Sequence, residues 1–254
     1  MKNIKRAFTL AETLLTLGIV GIVAMMLIPG LQNVINTDVS SAALLKTTKQ
    51  IENGMQNLLS HAKNKSNATV LSGLYVKDVL GASHSNASSY ITSNDYLFSL
   101  TKGLVGAGSV SNDNYISSIT KYSSNDSVFS SSDKISLFDF DGNSGYVIYK
   151  ETSDDDINTY TNGRTYIPEN IVIARLYIDA NRTKLPNKLG QDIYLFGLTD
   201  GGKLVPAGSA EYNNNVFKET VPLYTEENGC GDLGVGDGSS CAAKVVHEGW
   251  KIDL

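Results

Sequence analysis

The chain has 254 residues, with 21 Lys and Arg against 26 Asp and Glu, and a formal net charge of −5 at pH 7. An acidic chain without a basic cluster is poorly suited to a phosphate backbone, so no nucleic-acid partner is predicted. The sequence has three histidines, and no nucleophile elbow, zinc-ligand pair or phosphate-binding glycine loop surrounds them. We therefore predict no catalytic residues and no enzyme activity.

The first predicted element is an apolar helix behind a short basic head. The run from Phe8 to Ile28 contains one charged residue, Glu12, and follows the basic segment 1–7. At about 1.5 Å per residue this run measures roughly 31 Å, enough to cross the hydrocarbon of a bilayer. It is longer than the apolar core of a secretory signal and ends at Pro29 without a small-residue cleavage pattern. Residues 8–29 are therefore predicted to form a transmembrane helix.

The distribution of charge around this helix predicts its orientation. Lys2, Lys5 and Arg6 lie before the apolar run, and few charges follow it closely. The positive-inside rule then places the N-terminus in the cytoplasm and residues 30–254 on the opposite side of the membrane. We expect a single-pass membrane protein with an exported head.

Glu12 needs an explanation in such a segment. A carboxylate in lipid costs at least about 2.5 kcal/mol, so Glu12 is predicted to meet a positively charged partner. The alternative is that Glu12 lies among the lipid headgroups, solvated and without a partner.

The stretch from Arg6 to Ala24 resembles the class III signal of type IV pilins and of the pseudopilins of type II secretion. In that family a prepilin peptidase cuts just before the apolar run and N-methylates the new terminus. The resemblance implies a cut between Ala7 and Phe8 that removes the leader 1–7, although the family usually has Gly where this chain has Ala7. Pro29 also lies where many pilins carry a helix-interrupting proline.

The resemblance further implies a bacterial inner-membrane protein that assembles into a filament. Glu12 would pair with the charged amino terminus of Phe8 in a neighbouring subunit, so that two buried charges compensate each other. The implied partners are homologous pilin subunits, the prepilin peptidase and the inner-membrane assembly machinery. At 27.3 kDa the chain is larger than many major pilins, which favours a pseudopilin or a minor pilin.

The helix is predicted to continue past a kink at Pro29, because proline removes a backbone donor and clashes with the preceding turn. Residues 30–62 would form an amphipathic second half that packs on the head, since apolar residues recur there at three- and four-residue steps. These residues are Leu31, Val34, Ile35, Ala42, Leu45, Ile51, Met55, Leu58, Leu59 and Ala62.

From residue 63 to residue 254 short apolar alternations between turn residues predict a globular, strand-rich head. The predicted strands are Ile135 to Phe140, Tyr146 to Lys150, Ile171 to Asp179, Asp192 to Leu198 and Ala242 to Val246. A hairpin turn is predicted at 141–145, and the Ser- and Asn-rich stretch 83–132 reads as a loop-rich insertion. The predicted fold class is α+β, a long helix packed on an antiparallel sheet in the manner of pilins.

The two cysteines, Cys230 and Cys241, are predicted to form a disulfide in the exported head. A loop of this size would add up to about 3 kcal/mol of stability. Metal binding by the two cysteines with His247 is the alternative.

One loop is a candidate for calcium binding. Four oxygen-bearing side chains lie around a proline in the stretch 179–192, and they are Asp179, Asn181, Asn187 and Asp192. Some secretion pseudopilins have a calcium site in a loop after the helix, so the resemblance supports this hypothesis. Arg182, Lys184 and Lys188 oppose it, because they lower the local negative potential.

A second function class is an exported ligand-binding protein that stays tethered to the membrane and does not polymerise. Its head would recognise a ligand through its loops, and its helix would serve as a plain anchor.

Overall fold

The computed structural model describes residues 10–66, 108–110, 113–130, 135–139, 146–151, 171–182, 184–215, 221–227, 229–230 and 236–252. The elements in chain order are α1 (Leu10–Ser66), β1 (Gly108–Val110), α2 (Asp113–Ser118), β2 (Ile135–Asp139), β3 (Tyr146–Glu151), β4 (Val172–Asp179), β5 (Ile193–Thr199), β6 (Leu204–Pro206), α3 (Ala210–Asn215) and α4 (Cys241–His247). The fold class is α+β, with an apolar N-terminal helix and an antiparallel sheet, as the sequence predicts.

Helix α1 is continuous over 57 residues. Helical backbone continues through Pro29 and Gly30, so the helix does not end at the proline, and a bend there stays a prediction. The predicted start at Phe8 lies outside the described residues, and so do the leader 1–7 and the cleavage position at Ala7. The helix ends at Ser66, one turn beyond the predicted end near Ala62.

The C-terminal half of α1 packs on the sheet through one buried stripe. Its apolar members are Leu44, Ile51, Met55, Leu58 and Leu59. The last four were predicted, but the prediction of Leu45 was out of phase by one residue, since Leu45 is half-buried and Leu44 is buried. Ala42, also predicted, is exposed, and the side chains of Leu31, Val34, Ile35 and Ala62 lie outside the described residues.

Polar residues explain the error of phase. Thr47 and Thr48 lie on the buried stripe, where a pattern of apolar residues would not place them. Thr47 donates its hydroxyl to the carbonyl of Ala43 at 2.8 Å, and Thr48 donates to Leu45 at 2.8 Å. Each hydroxyl therefore has a hydrogen-bond acceptor without leaving the core, which removes most of the cost of burial.

The sheet is a six-stranded antiparallel meander in the order β1-β2-β3-β4-β5-β6. Side chains of neighbouring residues point to opposite faces of a strand, and β4 and β5 are apolar on both faces. Leu176 and Phe196 belong to the cluster that includes α1 and α4. Tyr177 and Leu195 belong to a second cluster that includes Tyr115 of α2. The sheet therefore has a hydrophobic core on each side.

Four of the five predicted strands are confirmed as β2, β3, β4 and β5, and the fifth is wrong. Ala242 to Val246 lies in helix α4 and not in a strand. Alanine favours helix, and the buried residues Cys241, Ala242 and Val245 recur at helical spacing,. A short apolar run fits either element, and here the helical period is the one that buries these side chains.

The predicted hairpin strands pair as expected, with Leu137 opposite Ile148, while the turn 141–145 lies outside the described residues. Part of the predicted loop-rich insertion 83–132 has regular structure, because β1 and α2 lie within it. The sequence analysis also missed β6 and α3, which are short.

Candidate functional site

The N-terminal third of α1 forms an exposed apolar surface. The window Leu10–Ile28 has 19 residues, is long and apolar enough to cross a membrane, and has no part buried within the chain's own fold. Leu10 is 80% exposed and Met25 is 78% exposed. At about 1.5 Å per residue the window measures roughly 28 Å, close to the thickness of bilayer hydrocarbon.

Polar side chains within this window fit an environment without water. Thr13 donates its hydroxyl to the carbonyl of Leu10 at 2.8 Å, and Thr16 donates to Thr13 at 3.0 Å. Hydroxyls that bond to the backbone of their own helix need no solvent, which is a requirement for side chains that face lipid.

Glu12 lies in the first turn of α1 as the structure describes it. Gly18 and Gly21 follow on the same window, and a methyl group added at either would meet nothing within 4 Å. Among the residues that the structure describes, no close packing requires glycine at these two positions.

Among the side chains of α1 that the structure describes, Ser40 is the first that is buried, and Val39 before it is 62% exposed. Hydrogen bonds between described residues join the helix to the head. Ser41 accepts a bond from the amide of Ile252 at 3.1 Å, Glu52 accepts one from the amide of Leu204 at 3.3 Å, and Gln56 donates to the carbonyl of Gly201 at 2.8 Å. Because β6 is an edge strand, Glu52 also covers part of an exposed sheet edge.

The predicted calcium residues do come together, in the loop between β4 and β5, which we call the acid loop (residues 179–193). Asp179 ends β4 and pairs in register with Ile193, the first residue of β5. The amide of Ala180 donates to the carbonyl of Asp192 at 2.8 Å. The base of the loop therefore places Asp179 and Asp192 side by side, and both are buried.

The carboxylate of Asp192 organises this loop. It accepts hydrogen bonds from the amide of Asn187 at 2.8 Å, the amide of Lys188 at 2.7 Å and the side-chain amide of Asn181 at 3.2 Å. Burial nevertheless raises the pKa of the Asp192 carboxyl, and these bonds oppose the shift. The loop backbone folds around one carboxylate.

Asp179 is the more perturbed of the two acids. Burial raises the pKa of its carboxyl from 3.8 to about 8, and the neighbouring charge of Asp192 acts in the same direction. Hydrogen bonds from the Tyr115 hydroxyl and the Asn181 amide lower this pKa without compensating for burial. Two carboxyls close together in a low-dielectric site disfavour double ionisation.

The two asparagines present acceptors that the fold does not use. The side-chain oxygens Oδ1 of Asn181 and Asn187 are buried without a hydrogen-bond donor in the part of the chain that the structure describes. The side-chain nitrogen of Asn187 donates to Ser118 at 3.1 Å, which orients the amide. Buried unsatisfied acceptors are uncommon, and a water or a cation at such a position supplies the missing interaction.

The donor set fits a hard cation in part. Carboxylate and amide oxygens are the ligands of calcium, which takes about six to eight of them. Across the described ranges no cluster of three His, Cys, Asp or Glu side chains is placed for a metal. A cation here would therefore depend on two carboxylates, two amide oxygens and water.

The disulfide lies against the acid loop. Cys230 and Cys241 are joined, with their Cα atoms 4.7 Å apart, as the sequence predicts. A methyl group at Gly190 of the loop would come within 2.8 Å of the Cys241 sulfur, and one at Gly238 within 2.0 Å of the Leu189 carbonyl. Both glycines have positive φ, so the close approach and the backbone conformation each require glycine.

The sequence analysis missed the residues that α2 contributes to this site. Tyr115 reaches Asp179 from 64 positions earlier in the chain, and Ser118 reaches Asn187 from 69 positions earlier. Both lie in the stretch that reads as a loop-rich insertion. A buried tyrosine usually bonds its hydroxyl to a partner, but this rule does not identify the partner from sequence.

No protein-family model matches this chain, and no curated protein or solved structure is significantly similar to it.

Proposed function

We propose that the protein is a structural subunit of a bacterial filament, a pseudopilin of a type II secretion pseudopilus or a minor pilin of a type IV pilus. The observation that carries this proposal is the division of α1 into an apolar first part, none of which is buried, and a second part that packs on an antiparallel sheet. A helix of this kind needs lipid before assembly and other apolar helices after it. The sequence resemblance at Arg6 to Ala24 supplies the family.

The proposal includes processing and partners. Prepilin peptidase would cut between Ala7 and Phe8 and methylate Phe8, and an inner-membrane machinery would transfer the subunit into the filament. The head would be exported while the apolar part of α1 stays in the membrane. In the filament Glu12 would pair with the amino terminus of Phe8 in a neighbouring subunit, which would set the axial register between subunits.

The test removes the acid and keeps the helix. Glu12→Ala is expected to leave membrane insertion intact and to lower incorporation into sheared fibres at least about tenfold, because one charge of the pair is left uncompensated. Asp38→Asn is the matched control, since Asp38 is an exposed acid of α1 outside the apolar window. The measurement is the ratio of fibre-bound to membrane-bound protein in cells that make it naturally.

Intact-mass analysis of the same material tests the processing step. A chain that starts at methylated Phe8 supports assembly. Fibres made of chains that keep residues 1–7 would contradict the pairing, because the Phe8 amino group would still be in a peptide bond. An unprocessed chain that makes no fibres favours the tethered ligand-binding protein instead.

We propose as a second function that the acid loop binds a divalent cation, with calcium as the best fit to its oxygens. The buried acceptors of Asn181 and Asn187 beside two carboxyls favour it. Asp192→Asn in the full-length protein in detergent micelles is expected to abolish the heat of calcium binding, whereas the exposed control Asp126→Asn retains it. Wild-type protein that shows no calcium heat at pH 8.5, above the raised pKa of about 8 of Asp179, would contradict the site.

A further inference from the structure

We propose that the Cys230–Cys241 disulfide is a redox switch for the acid loop. Oxidation holds the loop closed around the Asp192 carboxylate, and reduction opens the loop while the sheet stays folded. This inference does not depend on filament assembly or on a bound cation.

The inner side of the loop is held by polar contacts. The Asp192 carboxylate accepts hydrogen bonds from the amides of Asn187 and Lys188, and the amide of Gly190 donates to the carbonyl of Ile193 at 2.7 Å. Leu189 is the buried apolar side chain of the loop tip, whereas Leu185 is 81% exposed. Segments held by hydrogen bonds with little apolar burial are the ones that open locally.

The outer side of the loop rests on the segment that the disulfide closes. The Cys241 sulfur lies directly against the backbone of Gly190, and Gly238 lies against the carbonyl of Leu189. The carbonyl of Asp237 also accepts the amide of Tyr122 at 3.1 Å, and the carbonyl of Thr120 accepts the amide of Leu189 at 2.9 Å. Two other chain segments, 120–122 and 237–241, therefore meet at the loop, and the disulfide fixes the second of them.

Reduction changes this contact by geometry. Bonded sulfurs lie about 2 Å apart, whereas non-bonded atoms settle at about 3.5 to 4 Å. The two thiols must therefore move apart, and a carbon atom added at Gly190 would lie only 2.8 Å from the Cys241 sulfur, so the sulfur has little room on that side. As the two sulfurs separate, Cys241 either pushes the acid loop away or moves off the loop and no longer supports it.

The chemistry requires a dithiol as reductant. Cys241 is buried and Cys230 is partly exposed, so a thiolate of the dithiol attacks the Cys230 sulfur and Cys241 leaves as a thiolate that takes up a proton. The second thiol of the reductant then attacks the mixed disulfide and releases Cys230 as a thiol. Two electrons pass from the dithiol, which becomes a disulfide, to the two cysteines.

The sheet does not depend on this bond. Strands β4 and β5 pair from Ala174 opposite Leu198 to Asp179 opposite Ile193, beyond one irregularity next to Val172, and they are buried on both faces. Helix α4 is also anchored by Ala242 and Val245 in the core. After reduction, the free energy of opening is therefore expected to be lower for the acid loop than for strands β4 and β5.

Hydrogen exchange with mass spectrometry on the full-length protein in detergent micelles tests the switch, with dithiothreitol as the dithiol. Exchange at the amides of Asn187, Lys188 and Gly190 is expected to rise at least about tenfold on reduction, and exchange in β4 and β5 to stay within about twofold. Cys230→Ser without reductant is expected to reproduce the reduced pattern. Reoxidation of the wild type is expected to restore protection.

Gln56→Ala in the oxidised protein is the control, because it removes a contact of helix α1 with the β5–β6 turn and leaves the disulfide intact. It is expected to leave the acid loop protected. Unchanged loop exchange after complete reduction would overturn the proposal. So would a parallel rise in β4 and β5, since the disulfide would then stabilise the whole head and not switch the loop.

Discussion

The two ends of helix α1 have the same backbone conformation and opposite surroundings. In the N-terminal part Leu14 is 62% exposed, whereas Leu58 in the C-terminal part is fully buried. The N-terminal part satisfies its threonine hydroxyls within the helix, and none of its window Leu10–Ile28 is buried. The C-terminal part has polar contacts with the turns and edge of the sheet.

The difference shows that helix formation and burial are specified separately. A long apolar run can form a helix without help from the head, because every backbone hydrogen bond of a helix is local. Its apolar side chains then need lipid or other chains to cover them. A stripe with polar residues between its apolar positions gives a helix that is covered by its own head. The change from one to the other falls between Ile28, which is 50% exposed, and Ser40, which is buried.

The largest expected effect comes from truncating the same residue type in the two parts. Leu58→Ala leaves a cavity in the core and is expected to lower the free energy of unfolding of the head by about 2 to 5 kcal/mol. Leu14→Ala removes an exposed side chain and is expected to change it by less than about 0.5 kcal/mol. Urea unfolding of the full-length protein in micelles measures both, with fluorescence of Trp250, which stacks on Phe196, as the signal.

Similar losses of unfolding free energy in Leu14→Ala and Leu58→Ala would contradict the difference between the two parts of α1, because the exposed part would then contribute to the stability of the head. Loss of Trp250 signal before the main transition would show that the C-terminal segment opens separately from the sheet.

A second comparison sets Asp179 against an exposed acid of α1. The folded-state pKa of Asp179 is raised to about 8, while in the unfolded chain it has its ordinary value of about 3.9. Between these values the folded state keeps a proton that the unfolded state has lost, so stability falls as pH rises from about 4 to about 8. Each pH unit in this window costs up to about 1.4 kcal/mol.

Asp179→Asn is expected to remove this part of the pH dependence and to raise stability at neutral pH relative to the wild type. Asp38→Asn makes the same change in charge at an exposed position. Urea unfolding at pH 5, 6, 7 and 8 gives the slope for each protein. A slope that survives in Asp179→Asn, or disappears equally in Asp38→Asn, would contradict the role of burial at Asp179.

The sequence predicted those parts of the molecule that depend on local pattern. The long helix, strands β2 to β5, the cysteine pair and the four oxygen-bearing residues of the acid loop all follow from periodicity, turn residues or spacing. The sequence analysis placed Leu45 and not Leu44 on the buried stripe because the pattern counts Thr47 and Thr48 as polar, exposed positions. In the structure both threonines are buried, since their hydroxyls bond to the backbone of the helix. The contact of Tyr115 with Asp179 joins positions 64 residues apart, and local pattern carries no information about such a pairing.

The smallest expected effects come from the glycines of the two parts. Gly202 has a φ of 76° in the turn that packs on α1, and a methyl group there would lie 3.0 Å from the Cβ of Met55. Gly202→Ala is expected to cost about 1 to 2 kcal/mol, chiefly from the left-handed backbone. Gly18→Ala places its methyl group where no described residue lies within 4 Å, and alanine is well tolerated in a helix. The stability of the head is therefore expected to stay unchanged. If Gly18→Ala instead lowers fibre yield while head stability and membrane insertion stay normal, the space beside Gly18 is used by another helix, and the exposed part of α1 is an interface between subunits as well as an anchor.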